Sequence, residues 1–334
     1  GNAAIEVDVS AFNQFTIGSV AGDPSTPDDD QKRLMFGHGG GGFTSFTSMR
    51  VIRDGTQVDA PLLRRSGARP EVGPDKATLH WTVEDVAITQ ELMPALNPYT
   101  DRDDTVRIAV TAVNEGSSTA QVGIRVMLDT MIGGNDRAPF FVPGTGNFDV
   151  EREYGREEMP AYWKAFEARD YSPASLKGQG ILTGFGATTP DRFVIARWPQ
   201  IKDSVWDYAI TDGMAVGDSA VAIYWFPVEL APGASTTWVT YYGLAGTGGG
   251  SAWFDAPVNI TSEAPEFAAT LWVSNLSDAD FTGGEARLTL PPGLELAAGE
   301  TITKPVPTVP VNGGAQSAIW RLVGSGQADA DFDY

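Results

Sequence analysis

The chain has 334 residues, 43 acidic and 23 basic, for a formal net charge of −20. Such a field repels phosphate backbones and anionic lipid and favours divalent cations, so nucleic acid and acidic membrane surfaces are excluded as partners. There is no cysteine and only two histidines, His38 and His80, which removes disulfides, thiolate nucleophiles, Cys-ligated metals and any three-His site within one chain.

A hydrophobic fraction of 42% and an aromatic fraction of 10% support packed cores, and no apolar run reaches the roughly 18 residues of a membrane span. In chain order, Gly1–Ser10 reads as a strand with Ile5, Val7 and Val9 on one face and Glu6, Asp8 and Ser10 on the other. Gly22–Arg33 is a loop of turn formers and charge, and the glycine-rich run after Gly37 is a flexible tip carrying His38. Strands are expected at Phe46–Arg53, Ala77–Val83 and Val86–Leu92, with Asp54-Gly55 as a hairpin turn. Thr105–Asp129 carries the strongest signal. Val106, Ile108, Val110 and Ala112 alternate with other residues, Asn114–Ser118 breaks the run, and Val122, Ile124, Val126 and Leu128 resume it. The spacing predicts an antiparallel hairpin.

Gly133–Asp149 reads as loop. Met159–Arg169 is the one expected helix, with Pro160 in its first turn and Tyr162 and Phe166 four apart. Further strands are expected at Gly180–Gly184, Phe193–Arg197, Ala220–Phe226 and Thr236–Tyr242. The run GTGGGS at Gly246–Ser251 reads as a linker, which places a domain boundary near Gly250. Beyond it, Ala269–Val273 and Ala286–Leu290 repeat the hairpin pattern, and Gln327–Tyr334 is an acidic tail. The fold class is therefore all-β: a large antiparallel β-sandwich over 1–250, then a small one over 251–334.

The segments VSNLSDADFTGG, LTLPPGLEL and AIWRL make the last quarter of the chain resemble the immunoglobulin-like modules of bacterial and archaeal surface proteins. The segments FTIGSVAGDPSTPDDDQKRLMFGH, MLDTMIGGNDRAPF, PDRFVIARWP and DSAVAIYWFPVELAPGAS make the first part similar to a group of bacterial secreted proteins. Its strand density also resembles the supersandwich of galactose-mutarotase-type domains. The resemblance implies an extracellular or cell-surface location and supplies no family catalytic residues to carry over.

Three sets of residues carry candidate chemistry. Asp129, Asn135 and Asp136 gather oxygen donors around the Gly133-Gly134 bend, as a calcium loop would, or as a solvated acidic turn would. No EF-hand pattern is present, and Ca2+ is the one cofactor suggested. Trp163, Trp198 and Trp206 lie near loops and could stack on sugar rings, whereas Trp225, Trp238 and Tyr241 fall inside strand patterns and read as core. Paired acids for glycoside hydrolysis cannot be selected among 43. Finally, Ile5, Val7 and Val9 lie on an edge strand that could pair with a second copy, or within its own chain. The leading reading is a non-catalytic, secreted or cell-surface structural or adhesive protein that assembles through sheet edges, its partner itself. The alternative is binding or processing of a surface polysaccharide.

Overall fold

The computed structural model describes residues 1–24, 27–63, 69–169, 176–245, 250–256, 266–275, 280–291, 293–310 and 315–324. The chain divides into two units between Ala245 and Gly246. In the first, the strands are β1 (Ile5–Val9), β2 (Phe15–Ser19), β3 (Phe46–Arg53), β4 (Thr56–Pro61), β5 (Glu71–Val72), β6 (Ala77–Val83), β7 (Val86–Asn97), β8 (Arg102–Asn114) and β9 (Ala120–Asp129). They continue with β10 (Phe140–Val142), β11 (Gly146–Phe148), β12 (Arg152–Gly155), β13 (Tyr162–Phe166), β14 (Lys177–Ile181), β15 (Arg192–Arg197), β16 (Ser219–Leu230) and β17 (Ser235–Leu244). A single turn of helix, α1 (Trp198–Ile201), follows β15.

Two antiparallel sheets face each other. One has the order β12-β15-β16-β9-β3-β4 and the other β11-β10-β13-β14-β17-β8-β7-β6-β5. The alternation on β8 and β9 sends Val106, Ile108, Val110 and Ala112 from one sheet, and Val122, Ile124, Val126 and Leu128 from the other, into one shared core. All-β sandwich architecture thus follows from period-two placement.

The connection between β8 and β9 differs from the expected hairpin. β8 pairs with β7 and β17, whereas β9 pairs with β3 and β16, so the Glu115–Thr119 segment crosses from one sheet to the other. Alternation sets which face is apolar but not which strand lies alongside. Here side chains fix the crossing: Asn114 Nδ2 donates to the carbonyls of Ser118 (2.9 Å) and Leu230 (2.8 Å), and Arg53 donates to Ser118 O and Asn114 Oδ1. The other turns close as expected. Asp54-Gly55 joins β3 to β4, and Glu84-Asp85 joins β6 to β7, each with both residues at positive φ, as two-residue hairpin loops require.

The helix expected over 159–169 is instead β13. Tyr162, Lys164 and Phe166 point to one face and Trp163 and Ala165 to the other, between β10 and β14. Apolar residues at i and i+4 satisfy period two as well as period 3.6, and pairing on both edges decides for the strand. The expected loop at 133–149 likewise contains β10 and β11.

β9 is buried on both faces. Its outer face is roofed by residues 198–210, which pack Ile201 and Trp206 against Met127, Ala222 and Tyr224. Under that roof lies Arg125, fully buried, donating to the carbonyls of Ile201 (2.8 Å), Ser204 (2.7 Å) and Val205 (3.2 Å).

The second unit has β18 (Gly250–Asp255), β19 (Glu266–Asn275), β20 (Glu285–Arg287), β21 (Leu294–Leu296), β22 (Thr303–Pro305) and β23 (Gln316–Gly324). Its sheets have the orders β18-β19-β23-β21 and β20-β22. β18 pairs from Gly250 onward with β19, at the boundary expected near Gly250. The hairpin expected between Ala269–Val273 and Ala286–Leu290 does not form: β19 pairs with β18 and β23, and β20 pairs with β22. Residues 246–249 of the expected linker and the whole acidic tail lie outside the described residues.

Candidate metal centre

β9 ends at Asp129, where the sheet gives way to loops. Opposite it in register is Ala220 of β16, which brings the entry of that strand alongside. Thr130 and Ser219 lock the two ends together: Thr130 Oγ1 donates to Ser219 O (2.9 Å), and Ser219 Oγ donates to Thr130 O (2.9 Å). The chain leaving β9 turns back through Gly133-Gly134, with Asn135 N donating to Ile132 O (2.8 Å), so that Asp136 O accepts from Ser219 N (3.0 Å). Asp129, Asp136 and Asp218 therefore converge, and one carboxylate oxygen from each lies within 4.8 Å of the others.

Asp129 and Asp136 thus meet as the sequence suggested, but Asn135 does not join them. Its Oδ1 accepts from Arg137 N (2.9 Å) and its Nδ2 donates to Glu167 O (2.7 Å), so both polar atoms hold the bend. The third member is Asp218, 82 residues beyond Asp136 and supplied by strand pairing; the Gly217-Asp218-Ser219 turn before β16 was its only sequence signal.

Asp129 is 2% exposed. Its Oδ2 accepts from Thr44 Oγ1 (2.5 Å), while its Oδ1 is buried without a hydrogen-bond partner, as is Asp136 Oδ1. Burial pushes the Asp129 carboxyl up to about 8, opposed by the Thr44 bond and reinforced by Asp218 and Asp136. Burial, with Asp136 next, raises Asp218 to about 6. Asp136 is also raised by burial, with Arg137 and Arg33 pulling the other way. Among the described residues none of the three forms an ion pair within 4.0 Å. Arg33, Arg137 and Arg197 act on Asp136 and Asp218 from beyond ion-pair distance, and converging carboxylates with no direct cation contact can share protons or take up an ion. Oxygen-only donors on a bend and two strand ends are the donor type that Ca2+ takes, six to eight oxygens in number.

The tryptophans lie elsewhere. Trp163 is fully buried, stacked on Tyr242 (centroids 5.2 Å, interplanar angle 16°), and so offers no platform to a sugar. A Cβ at Gly180 would come within 2.2 Å of its Nε1, so glycine there is a packing requirement. Trp206 is also buried, capped by the Arg50 guanidinium at 5.0 Å and set edge-on to Tyr224. The expectation that these two indoles face solvent is corrected by that packing. Trp198 is half-buried, with Lys202 Nζ 4.9 Å from its ring. Trp225 and Trp238 are core, as their strand patterns suggested.

β1 pairs within its own chain, Ile5 to Ser19 through Val9 to Phe15. Ile5 is fully buried, and Val7 and Val9 pack against the same core. The three apolar residues offered for assembly thus face their own sandwich. His38, expected on a flexible tip, is 4% exposed.

No protein-family model matches the chain, and no curated protein matches it. Solved structures do align with it. A polysaccharide lyase matches at 12% identity with a TM-score of 0.44, covering 98% of this chain, which spans 43% of the lyase. A galactose mutarotase related enzyme from Lactobacillus acidophilus matches at 8% identity and TM-score 0.36, covering 74% of this chain and 96% of its own. A galactose mutarotase-like protein from Lactobacillus casei matches at 11% and 0.37, covering 73% and 98%. Likeness at this level says nothing about activity.

Proposed function

We propose that the first unit is a cation-locked β-sandwich module of an extracellular structural or adhesive protein, with Ca2+ held by Asp129, Asp136 and Asp218. The observation that carries this reading is the unpartnered, buried Oδ1 of Asp129, on a carboxylate that converges with two others. A bound Ca2+ would supply the missing electrostatic partner and tie together the end of β9, its outgoing loop and the entry of β16. The net charge of −20 would assist capture. Thermal unfolding in calcium and in chelator tests the reading. At an ion concentration of about one hundred times Kd, binding stabilises by roughly 2.7 kcal/mol, so the melting temperature is expected to rise by about 5–10 °C. Identical curves in both buffers would overturn it. Light scattering in the same buffers reads self-assembly, and calcium-dependent mass would extend the role from stabilising a subunit to joining subunits.

Carbohydrate recognition is the second reading, with half-exposed Trp198 the one indole of the three still open to a ligand. A polysaccharide-binding screen of wild type against Trp198→Ala tests it; equal retention by both proteins would remove Trp198 from consideration.

A further inference from the structure

We propose that Glu6, Asp8 and His38 form a second ion site, selective for Zn2+ and similar transition metals rather than Ca2+. Glu6 and Asp8 are two apart on β1, so both point away from the core face that holds Ile5, Val7 and Val9. His38 comes from the turn at 37–40, where the amides of Gly40 and Gly41 donate to Gly37 O. Its carbonyl accepts from Arg33 Nε (3.0 Å), and its ring lies over Gly18 of β2, where a Cβ would come within 2.0 Å of Cδ2. The imidazole is thereby buried and fixed beside β1.

Its Nε2 is 3.3 Å from Glu6 Oε1 and its Nδ1 is 3.5 Å from Asp8 Oδ2. Both exceed the roughly 2.7–2.9 Å of a charge-assisted hydrogen bond, and Nδ1 has no hydrogen-bond partner. Two ligands at about 2.0–2.2 Å from a tetrahedral ion stand roughly 3.3–3.5 Å apart; since one ring nitrogen ligates, one of these carboxylates already stands at that separation and the other swings toward the same nitrogen. One nitrogen of the ring and one oxygen from each carboxylate lie within 4.8 Å of one another. Drawing that set onto an ion calls for rotation of the Glu6 and Asp8 side chains, which are 41% and 47% exposed. A neutral imidazole nitrogen favours zinc, nickel or copper, whereas Ca2+ takes oxygen donors. Three protein donors leave a position for water.

The site is independent of the carboxylate centre, and the experiment separates the two. Tag-free protein carrying Asp129→Asn, which disables that centre, is titrated with ZnCl2 by calorimetry in excess Ca2+. One zinc equivalent is expected, with affinity at least tenfold weaker after Glu6→Gln, Asp8→Asn or His38→Gln. The two carboxylate variants alter exposed side chains and keep the fold, so they carry the test if His38→Gln unfolds. Co2+ should give the visible absorption of a low-coordinate site in the parent and lose it in Glu6→Gln. Absent zinc binding, or binding unchanged in Glu6→Gln and Asp8→Asn, would overturn the proposal without touching the calcium reading.

Discussion

Asp129 and Glu151 are buried to nearly the same degree, 2% and 3% exposed, yet the protein treats them differently. Glu151 Oε1 accepts from Tyr208 Oη (2.7 Å) and Arg197 N (3.1 Å), and its Oε2 accepts from Thr211 N (2.7 Å). Both of its oxygens are occupied. Asp129 has one hydroxyl on Oδ2, nothing on Oδ1, and two more carboxylates in front of it. Desolvation of a carboxylate is ordinarily offset by hydrogen bonds to its charged form. Glu151 follows that rule as a structural strut. Asp129 departs from it where a cation would restore the balance.

The strongest way to break this contrast is to remove both carboxylates in turn. Glu151→Ala leaves three donors without an acceptor, each costing about 1–3 kcal/mol when buried. Calorimetry should show a loss of roughly 3 kcal/mol or more, equal in calcium and in chelator. Asp129→Asn should do the reverse in chelator at pH 8, stabilising the protein by on the order of 1–2 kcal/mol through removal of an ill-solvated charge, and it should abolish the calcium response. If Asp129→Asn destabilises as Glu151→Ala does, Asp129 is a second strut and the contrast fails.

A smaller effect sharpens it by pH. The folded Asp129 carboxyl titrates near 8, above its unfolded value, so between about pH 4 and 8 the folded state holds the extra proton. Stability from this group is therefore full at low pH and lost as pH rises through that window. The difference in unfolding free energy between wild type and Asp129→Asn should widen from pH 5 to 8 in chelator and narrow in calcium; parallel profiles would count against the buried, unpaired state of Asp129. Smallest is Trp198→Ala. A half-buried indole on one helical turn should cost about 1 kcal/mol or less by chemical denaturation, against the roughly 3–5 kcal/mol of a core tryptophan such as Trp163.

What could be seen in the sequence divides along the range of the interactions. Strand positions were legible because alternation is local: β3, β6, β15 and β17 fall within a residue or two of their expected bounds. The Asp129–Asp136 pairing was legible because one glycine bend makes it. Asp218 was not, since a strand register 82 residues away delivers it, and Asn135 misled because an amide oxygen in a turn is usually spent on that turn. The burial of Trp206 under Arg50, and of His38 against β2, depends on which surface each loop covers, and no local pattern encodes that.

The crossing from β8 to β9 has a kinetic consequence. Two alternating segments joined by five residues can zip locally within about 1–10 μs, in competition with the equally local native pairing of β7 with β8 across residues 98–101, and before the distant β3, β16 and β17 are available. In this protein the β8–β9 pairing is the wrong one, because the finished fold places the two segments in opposite layers. A β8–β9 hairpin that forms early must open before β9 can join its own sheet, and the partners awaited by β9 include one that begins 90 residues after it ends. We therefore expect refolding to be rate-limited by that opening. Stopped-flow fluorescence after dilution from denaturant would show it as a slow phase that accelerates when Ser117→Pro stiffens the crossing, and a phase indifferent to that change would assign the delay elsewhere.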